Sequence, residues 1–302
     1  MGAILVIKIG IYFGATKIEA AAMDKHGKFI TNIRAETPNN YDSALNTIRY
    51  LVKKIEDRLA CTVPVGLCMP GSICAISQKV KNSNLQYLND KKFNIDISEV
   101  LKRHVKIAND ANCFTLSEAY DGAGKNKKVV CGIILGTGCG GGIVINSQLI
   151  TGANGIAAEW GHNPLPWATY DEYNTPKCYC GLEGCLEQWI SGTGLMRCYE
   201  KRTKNRKTGK EIYALAKMGE SSAIFEIDAL TDRIGRAIAS ICNVIDPDVV
   251  ILGGGLSNIS SLYDKLPEII QKYILSDVWQ GQVLPPLWGD SSGLRGAARL
   301  WD

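Results

Sequence analysis

Cys178, Cys180 and Cys185 fall within eight residues, with Gly181 and Gly184 between them, and His162 stands shortly before. Three thiolates and one imidazole complete the tetrahedral coordination of zinc, and the Cys-x-Cys-x4-Cys spacing lets one compact loop wrap the ion. The protein fills all four positions, so the expected role of the metal is structural rather than catalytic. The alternative, incidental free thiols, fits the tight spacing less well. Two carboxylates flank the cluster: Glu159 lies three residues before His162, and Glu187 two after Cys185. A loop ordered by zinc could fix both to hydrogen-bond ligand hydroxyls.

Two glycine-containing turns offer a second kind of chemistry. Gly136-Thr137-Gly138-Cys139-Gly140-Gly141-Gly142 has five glycines in seven residues between two apolar runs. Small residues there let backbone N–H groups approach an anion, for which phosphate is the natural choice. The first turn, Gly10 to Lys17, and the junction Gly253-Gly254-Gly255 after the apolar run Val249 to Leu252 have the same character. Asp110, in Asn109-Asp110-Ala111-Asn112, follows the short apolar piece Val105 to Ala108 and precedes a helical pattern. A carboxylate at such a junction can accept the proton of an attacking hydroxyl. Asn and Asp are also favoured helix N-caps, and these residues alone do not separate the two roles.

These groups must be held by alternating strands and helices. Ile4 to Ile9 reads as a buried strand, Gly10 to Lys17 as a turn and Ile18 to Met23 as the returning strand. Leu45, Ile48, Leu51, Val52 and Ile55 recur at three- and four-residue spacing, predicting an amphipathic helix over 42–59, followed by a strand over 63–69. The order returns as strand Val129 to Leu135, glycine turn and strand Ile143 to Ile145, then a long helix over 221–245. The repetition suggests two related α/β lobes, and 302 residues suffice for two cores. The expected division is a first lobe over 1–111, with a C-terminal helix near 291–302 packing back on it, and a second over 112–302 carrying the zinc loop.

Composition narrows the function classes. Apolar residues make up 46% and charged residues 21%, as in an ordinary globular protein. The net charge of +4 and the short, separated Lys-rich pieces (125–128 and 201–210) argue against nucleic-acid binding. The apolar run Ile4 to Ile7 is only strand-length, so neither a signal peptide nor a membrane span is expected. Eleven cysteines, an odd number lying mostly in apolar stretches, fit a reducing cytoplasm better than a disulfide framework.

Glu159-Trp160-Gly161-His162 together with Cys178-Tyr179-Cys180-Gly181-Leu182-Glu183-Gly184-Cys185-Leu186-Glu187 resembles the zinc-containing signature of the ROK family of bacterial sugar kinases and repressors. Pro70-Gly71-Ser72, Asn109 to Asn112, Gly136 to Gly142, Leu252 to Gly255 and Gly289 to Ala298 agree with that family in order, so the resemblance runs through nearly the whole chain. It implies a two-lobed actin-like ATPase fold of the ribonuclease H-like type, with nucleotide and sugar meeting in an interlobe cleft. By the same resemblance Asp110 is the general base. Asn109, Glu159, His162 and Glu187 hold sugar hydroxyls, and Ser72 and Asn84 are further sugar-site candidates. The residues expected to bind ATP are Gly10, Ile11, Tyr12, Phe13, Gly14, Ala15, Thr16, Lys17, Gly136, Thr137, Gly138, Cys139, Gly140, Gly141, Gly142, Ile143, Gly254 and Gly255. The metal ligands are His162, Cys178, Cys180 and Cys185. A homodimer is the expected assembly.

Val80-Lys81-Asn82, Trp160 to Trp167 and Gly289 to Ser292 look most like the fructokinase and mannokinase branch, with the bacterial N-acetylglucosamine kinase as the nearest competitor. The expected reaction is transfer of phosphate from Mg²⁺-ATP to the 6-hydroxyl of fructose or mannose, with zinc as structural cofactor. The family's repressors carry an N-terminal helix-turn-helix, whereas this chain opens on an expected core strand, which disfavours DNA binding. One departure stands out. The family's first turn usually reads Asp-x-Gly-Gly-Thr-Lys, and here it is Tyr12-Phe13-Gly14-Ala15-Thr16-Lys17. A phenol carries no negative charge near neutral pH and cannot replace a carboxylate that positions Mg²⁺. Ala15 also adds a Cβ where close backbone approach is expected. A sugar-binding sensor that has lost catalysis is therefore the competing expectation from a different class.

Overall fold

A computed structural model describes residues 6–173 and 176–302. They form two compact units. The first takes the chain as far as Lys125, then Ser147–Ala157 and Trp288–Asp302; the second comprises Asn126–Asn146 and Ala158–Leu287.

In the first unit, β1 (Lys8–Phe13), β2 (Lys17–Met23), β3 (Phe29–Glu36), β4 (Val65–Met69) and β7 (Val105–Asn109) form one sheet ordered β3-β2-β1-β4-β7. The first three strands are antiparallel neighbours, and β1, β4 and β7 run parallel. A small hairpin pairs β5 (Ser72–Ile73) with β6 (Val80–Lys81). Helix α1 (Tyr41–Leu59) buries Leu45, Ile48, Leu51, Val52 and Ile55, the stripe expected from their spacing; the Asn40 side chain caps its start and Ala60 ends it in the left-handed region. Helices α2 (Phe93–Val100) and α3 (Asp110–Asp121) flank β7 in sequence.

The strand expected over 4–9 lies partly outside the described residues, and β1 continues through Phe13. Gly10 is thus a buried strand residue, not part of a turn. A Cβ there would collide with the Leu294 carbonyl, just as a Cβ on Gly66 would collide with the Ala297 carbonyl. These glycines let α9 (Ser292–Arg299) lie directly on β1 and β4. The same helix packs on α3, where Gly296 leaves room for the Cys113 carbonyl. Because α3 is held this way, the first unit extends past residue 111 to Lys125.

The second unit repeats the hairpin-plus-parallel pattern. Strand β8 (Val129–Leu135) pairs antiparallel with β9 (Cys139–Ile145) and parallel with β11 (Val249–Gly253), which pairs parallel with β12 (Gln282–Leu284). Between β9 and β11 the chain first contributes the short strand β10 (Gln148–Leu149) within the first unit's segment. It then builds α4 (Glu187–Ile190), α5 (Gly192–Thr203), α6 (Gly209–Lys217) and α7 (Ser221–Ile245); α8 (Ser261–Tyr273) follows β11. Arg236 on α7 is 2% exposed and donates to both carboxylate oxygens of Glu172 and to the carbonyls of Pro166 and Trp167. Burial alone would raise the Glu172 carboxyl; hydrogen bonds from Arg236, Arg233 and the Thr169 N–H outweigh it and hold the pKa at about 2. This ion network pins the segment that follows His162. Among the described residues no helix is long and apolar enough to cross a membrane.

Candidate active site

In the first unit, β7 ends at Asn109, whose side-chain oxygen caps α3 by accepting from the Asn112 N–H at 2.7 Å. Asp110 is therefore the first residue inside the helix and Asn109 the N-cap, which frees Asp110 from the capping role. The Asp110 carboxylate accepts from the Ala111 N–H at 2.9 Å. Its side chain reaches solvent, yet so much protein surrounds it that lost hydration raises its pKa above the ordinary carboxylate value, against the pull of backbone N–H groups. A carboxylate of raised pKa at a strand-to-helix junction is suited to taking up a proton.

Beside it lies a cavity of about 150 Å³, bordered by Ser72 from β5, Asn109 and Asn112 around the start of α3, and Thr151 and Gly155 from the inserted segment. Ser72 and Asn109 are thus brought together. Asn84 is not: it is exposed and does not border the cavity.

The first turn is shorter than expected. Gly10, Ile11 and Phe13 are buried in β1; the turn proper is Gly14-Ala15-Thr16. The Gly14 N–H bonds the Lys17 carbonyl at 2.9 Å, and the Thr37 hydroxyl bonds the Gly14 carbonyl at 2.7 Å. Ala15 and Thr16 are exposed, and Lys17 pairs with Glu19 at 3.0 Å. The Tyr12 ring folds back over Gly14, so close that a Cβ on Gly14 would lie 2.6 Å from it. Burial raises the Tyr12 phenol, and Cys68, Asp110 and Asp290 push it further in the same direction. Position 12 therefore presents a neutral group.

In the second unit, the turn over 136–142 is also trimmed. Cys139 to Gly142 belong to β9, and Cys139, Gly141 and Gly142 are buried. Gly141 is small because Trp160 crosses it: a Cβ would lie 2.7 Å from the indole. Gly138 is small because Glu187 does the same. A Cβ on Gly138 would lie 2.5 Å from the Glu187 carboxylate, which accepts from the Cys139 N–H at 3.0 Å. Gly136, Thr137 and Gly138 make the remaining turn, with Gly140 and Ile143 partly accessible behind it. Two further pieces converge on it. Exposed Gly254, with φ of 79°, lies against Leu135 and Gly136 where β8 and β11 end. The start of α5 docks on the other side, through Gly192 N–H to the Gly136 carbonyl at 2.7 Å and the Thr193 hydroxyl to the Thr137 carbonyl at 2.7 Å. Two glycine junctions and a helix N-terminus at one sheet end suit an anion. Gly192 and Thr193 escaped sequence reading; the N-cap Ser191 was their only local signal.

His162, Cys178, Cys180 and Cys185 present their ligand atoms within 4.8 Å of one another. His162 Nδ1 lies 3.6 Å from Cys178 Sγ, and Cys180 and Cys185 Sγ are 3.6 Å apart. Zinc–sulfur bonds of about 2.3 Å place tetrahedral sulfurs roughly 3.8 Å apart, so the quartet fits the ion. The second ring nitrogen, Nε2, lies 3.0 Å from the Tyr179 hydroxyl. Glu159 directly precedes the short helical turn Trp160–His162, and Glu187 opens α4 next to the cysteine loop.

The ROK family model matches residues 8–302. The chain belongs to the ROK family. It is 38% identical over 297 residues to the N-acetyl-D-glucosamine kinase of Vibrio atlanticus, covering 96% of this chain and 98% of that protein. Its fold matches the ROK hexokinase from Thermus thermophilus with a TM-score of 0.87 at 26% identity, covering 97% of each chain. A ROK family glucokinase from Streptomyces griseus, solved with glucose and AMPPNP, matches with a TM-score of 0.76 at 27% identity over 97% of this chain and 98% of that one. The fold is that of the actin-like ATPases, and the chain's kin are the sugar kinases of the family. The expectation of fructose or mannose as substrate is overturned: other relatives of similar likeness are also N-acetyl-D-glucosamine kinases. The segments read as fructokinase-like are too short to decide the sugar against likeness over the full length.

Proposed function

We propose that the protein transfers the terminal phosphate of ATP to the 6-hydroxyl of N-acetyl-D-glucosamine. The observation that carries the chemistry is Asp110, a carboxylate with a raised pKa that is released from helix capping by Asn109. The choice of sugar rests on full-length likeness to N-acetyl-D-glucosamine kinases. In this reading Asn109 orients the sugar, Asp110 takes the proton of the attacking hydroxyl, and the turn Gly136 to Gly138 with Gly254 and the α5 N-terminus stabilises phosphate charge. ATP brings Mg²⁺ with it. A coupled ADP-release assay with N-acetyl-D-glucosamine, glucose, fructose and mannose tests the reading; N-acetyl-D-glucosamine should give the highest kcat/KM, and no turnover on it would sink the proposal.

His162, Cys178, Cys180 and Cys185 would hold a zinc ion whose chemistry is structural, cross-linking the loop that carries Tyr179 to the segment that carries Glu159. Protein purified without added zinc should contain one zinc per chain by metal analysis, and chelation should raise the sugar KM by about tenfold. Fully active protein free of stoichiometric metal would overturn this.

A sensor without catalysis is the second reading, favoured by the neutral ring of Tyr12. Calorimetry separates the two, since a sensor binds the sugar and consumes no ATP.

A further inference from the structure

We infer that Glu187 is the brace that holds the turn Gly136 to Gly138 in its phosphate-binding shape, and that nucleotide affinity depends on this buried carboxylate. The inference rests on the proposed role of that turn in holding ATP and goes beyond it by naming the residue that positions the turn.

A turn with glycine at two of its three positions is free to sample many conformations unless something outside it intervenes. Its own backbone supplies one constraint, from the Gly136 N–H to the Gly138 carbonyl at 3.0 Å. The start of α5 holds its first half, through the bonds from Gly192 and Thr193 to the carbonyls of Gly136 and Thr137. The exit is held from elsewhere. Glu187 is 9% exposed, and its Oε2 accepts from the N–H of Cys139, the residue at which the turn enters β9. The same oxygen lies 2.5 Å from where a Cβ on Gly138 would stand, so the carboxylate packs on the turn as well as bonding its end. Among the described residues the N–H groups of Thr137 and Gly138 take no protein acceptor, which leaves both to an anion.

Glu187 is itself fixed by the cysteine loop. Leu186 before it donates its N–H to the Asn163 carbonyl at 2.8 Å, Gln188 after it donates to the Cys185 carbonyl at 3.0 Å, and its Oε1 lies 3.9 Å from Cys178 Sγ. Cys185 in turn forms a bridge with Pro164. The carboxylate therefore joins two parts of the second unit that are distant in sequence, the turn at 136–138 and the loop at 178–185, and passes the order of one to the other. An acceptor is needed at that point, because a buried N–H left without one is costly. Without it the Cys139 N–H must find water, and the turn shifts to let it. The fraction of protein ready to bind phosphate then falls, and the apparent affinity falls by the same factor. Glu187 acts through the turn, so it is a positioning residue for the nucleotide.

Calorimetry with Mg²⁺ and AMPPNP, which carries three phosphates and is not consumed, tests this on wild type, Glu187→Ala and Glu187→Gln. Sugar is left out, so that any contact of Glu187 with it does not enter the result. Glu187→Ala should bind the nucleotide about five- to tenfold more weakly. Glu187→Gln should stay within about twofold of wild type, since an amide oxygen accepts the Cys139 N–H as a carboxylate does. That rescue separates a brace from a charge: equal losses in the two variants overturn the inference, and so does an alanine variant that binds as tightly as wild type. If Glu187→Ala does not fold, Glu187→Met keeps the length of the side chain, removes both acceptors and should show the same loss. Wild type that binds no nucleotide would end the ATP reading and this inference with it, whereas unchanged affinity in the alanine variant ends the inference alone.

Discussion

Asp110→Asn should lower kcat by roughly 10²–10⁴ while leaving sugar affinity within about tenfold, the signature of removing a positioned general base. The substitution keeps shape and the hydrogen bond to the Ala111 N–H, because an amide oxygen accepts as a carboxylate does. Basicity alone is lost. The pH dependence adds an independent check. Lost hydration raises the Asp110 pKa, so the protonated form persists to higher pH than for an ordinary carboxylate. A protonated acid cannot take the hydroxyl proton, so kcat/KM should fall as the pH drops through this raised value, and activity should be full above it. Asp110→Asn should abolish that acid limb along with most of the rate. A variant with wild-type kcat would remove Asp110 from the chemistry and leave it as the first residue of a helix.

What was legible in the sequence was local. The stripe of α1 and the run of β8 declare themselves through spacing, because a helix or strand face is set within a few residues. The juxtaposition of His162, Cys178, Cys180 and Cys185 is legible for the same reason: three of the four side chains sit in one eight-residue loop. The errors come from glycine. Gly10, Gly141 and Gly142 read as turn residues, yet they lie within strands, Gly10 being small so that α9 can approach and Gly141 so that Trp160 can cross. A glycine kept small by a partner far along the chain looks the same in sequence as one kept flexible for a turn. The first compact unit runs past residue 111 on the same ground, since α3 packs on α9, whose residues lie at the far end of the chain.

Tyr12→Asp should raise the rate at limiting Mg²⁺ by about 10–100-fold and shift the Mg²⁺ requirement downward, with little change in sugar binding. The argument begins from the charge at position 12. The family's first turn carries a carboxylate there, and this chain carries a phenol that burial and the nearby Cys68, Asp110 and Asp290 keep neutral. With no anion at that position, the metal must rely on the ATP oxygens, water and other acidic groups, which weakens its apparent affinity. A carboxylate about one water layer from a divalent cation gains several kcal/mol even at an effective dielectric near 20, and desolvation returns part of it. Roughly 1.4–2.8 kcal/mol surviving in the transition state corresponds to the 10–100-fold expected. The new carboxylate would also stand near Asp110 and Asp290, and without the metal that repulsion works against it. The gain should therefore appear only as Mg²⁺ is added, and metal-free protein should be slightly less stable than wild type. Two geometric facts make the substitution tolerable. Position 12 is the one partly exposed residue of β1, and Gly14, over which the ring now folds, loses a close neighbour rather than meeting a new one. Mg²⁺ titrations of both proteins decide the matter. Coincident curves with equal maximal rates would mean that the chain has rearranged to work without this carboxylate, and that Tyr12 serves as packing over Gly14.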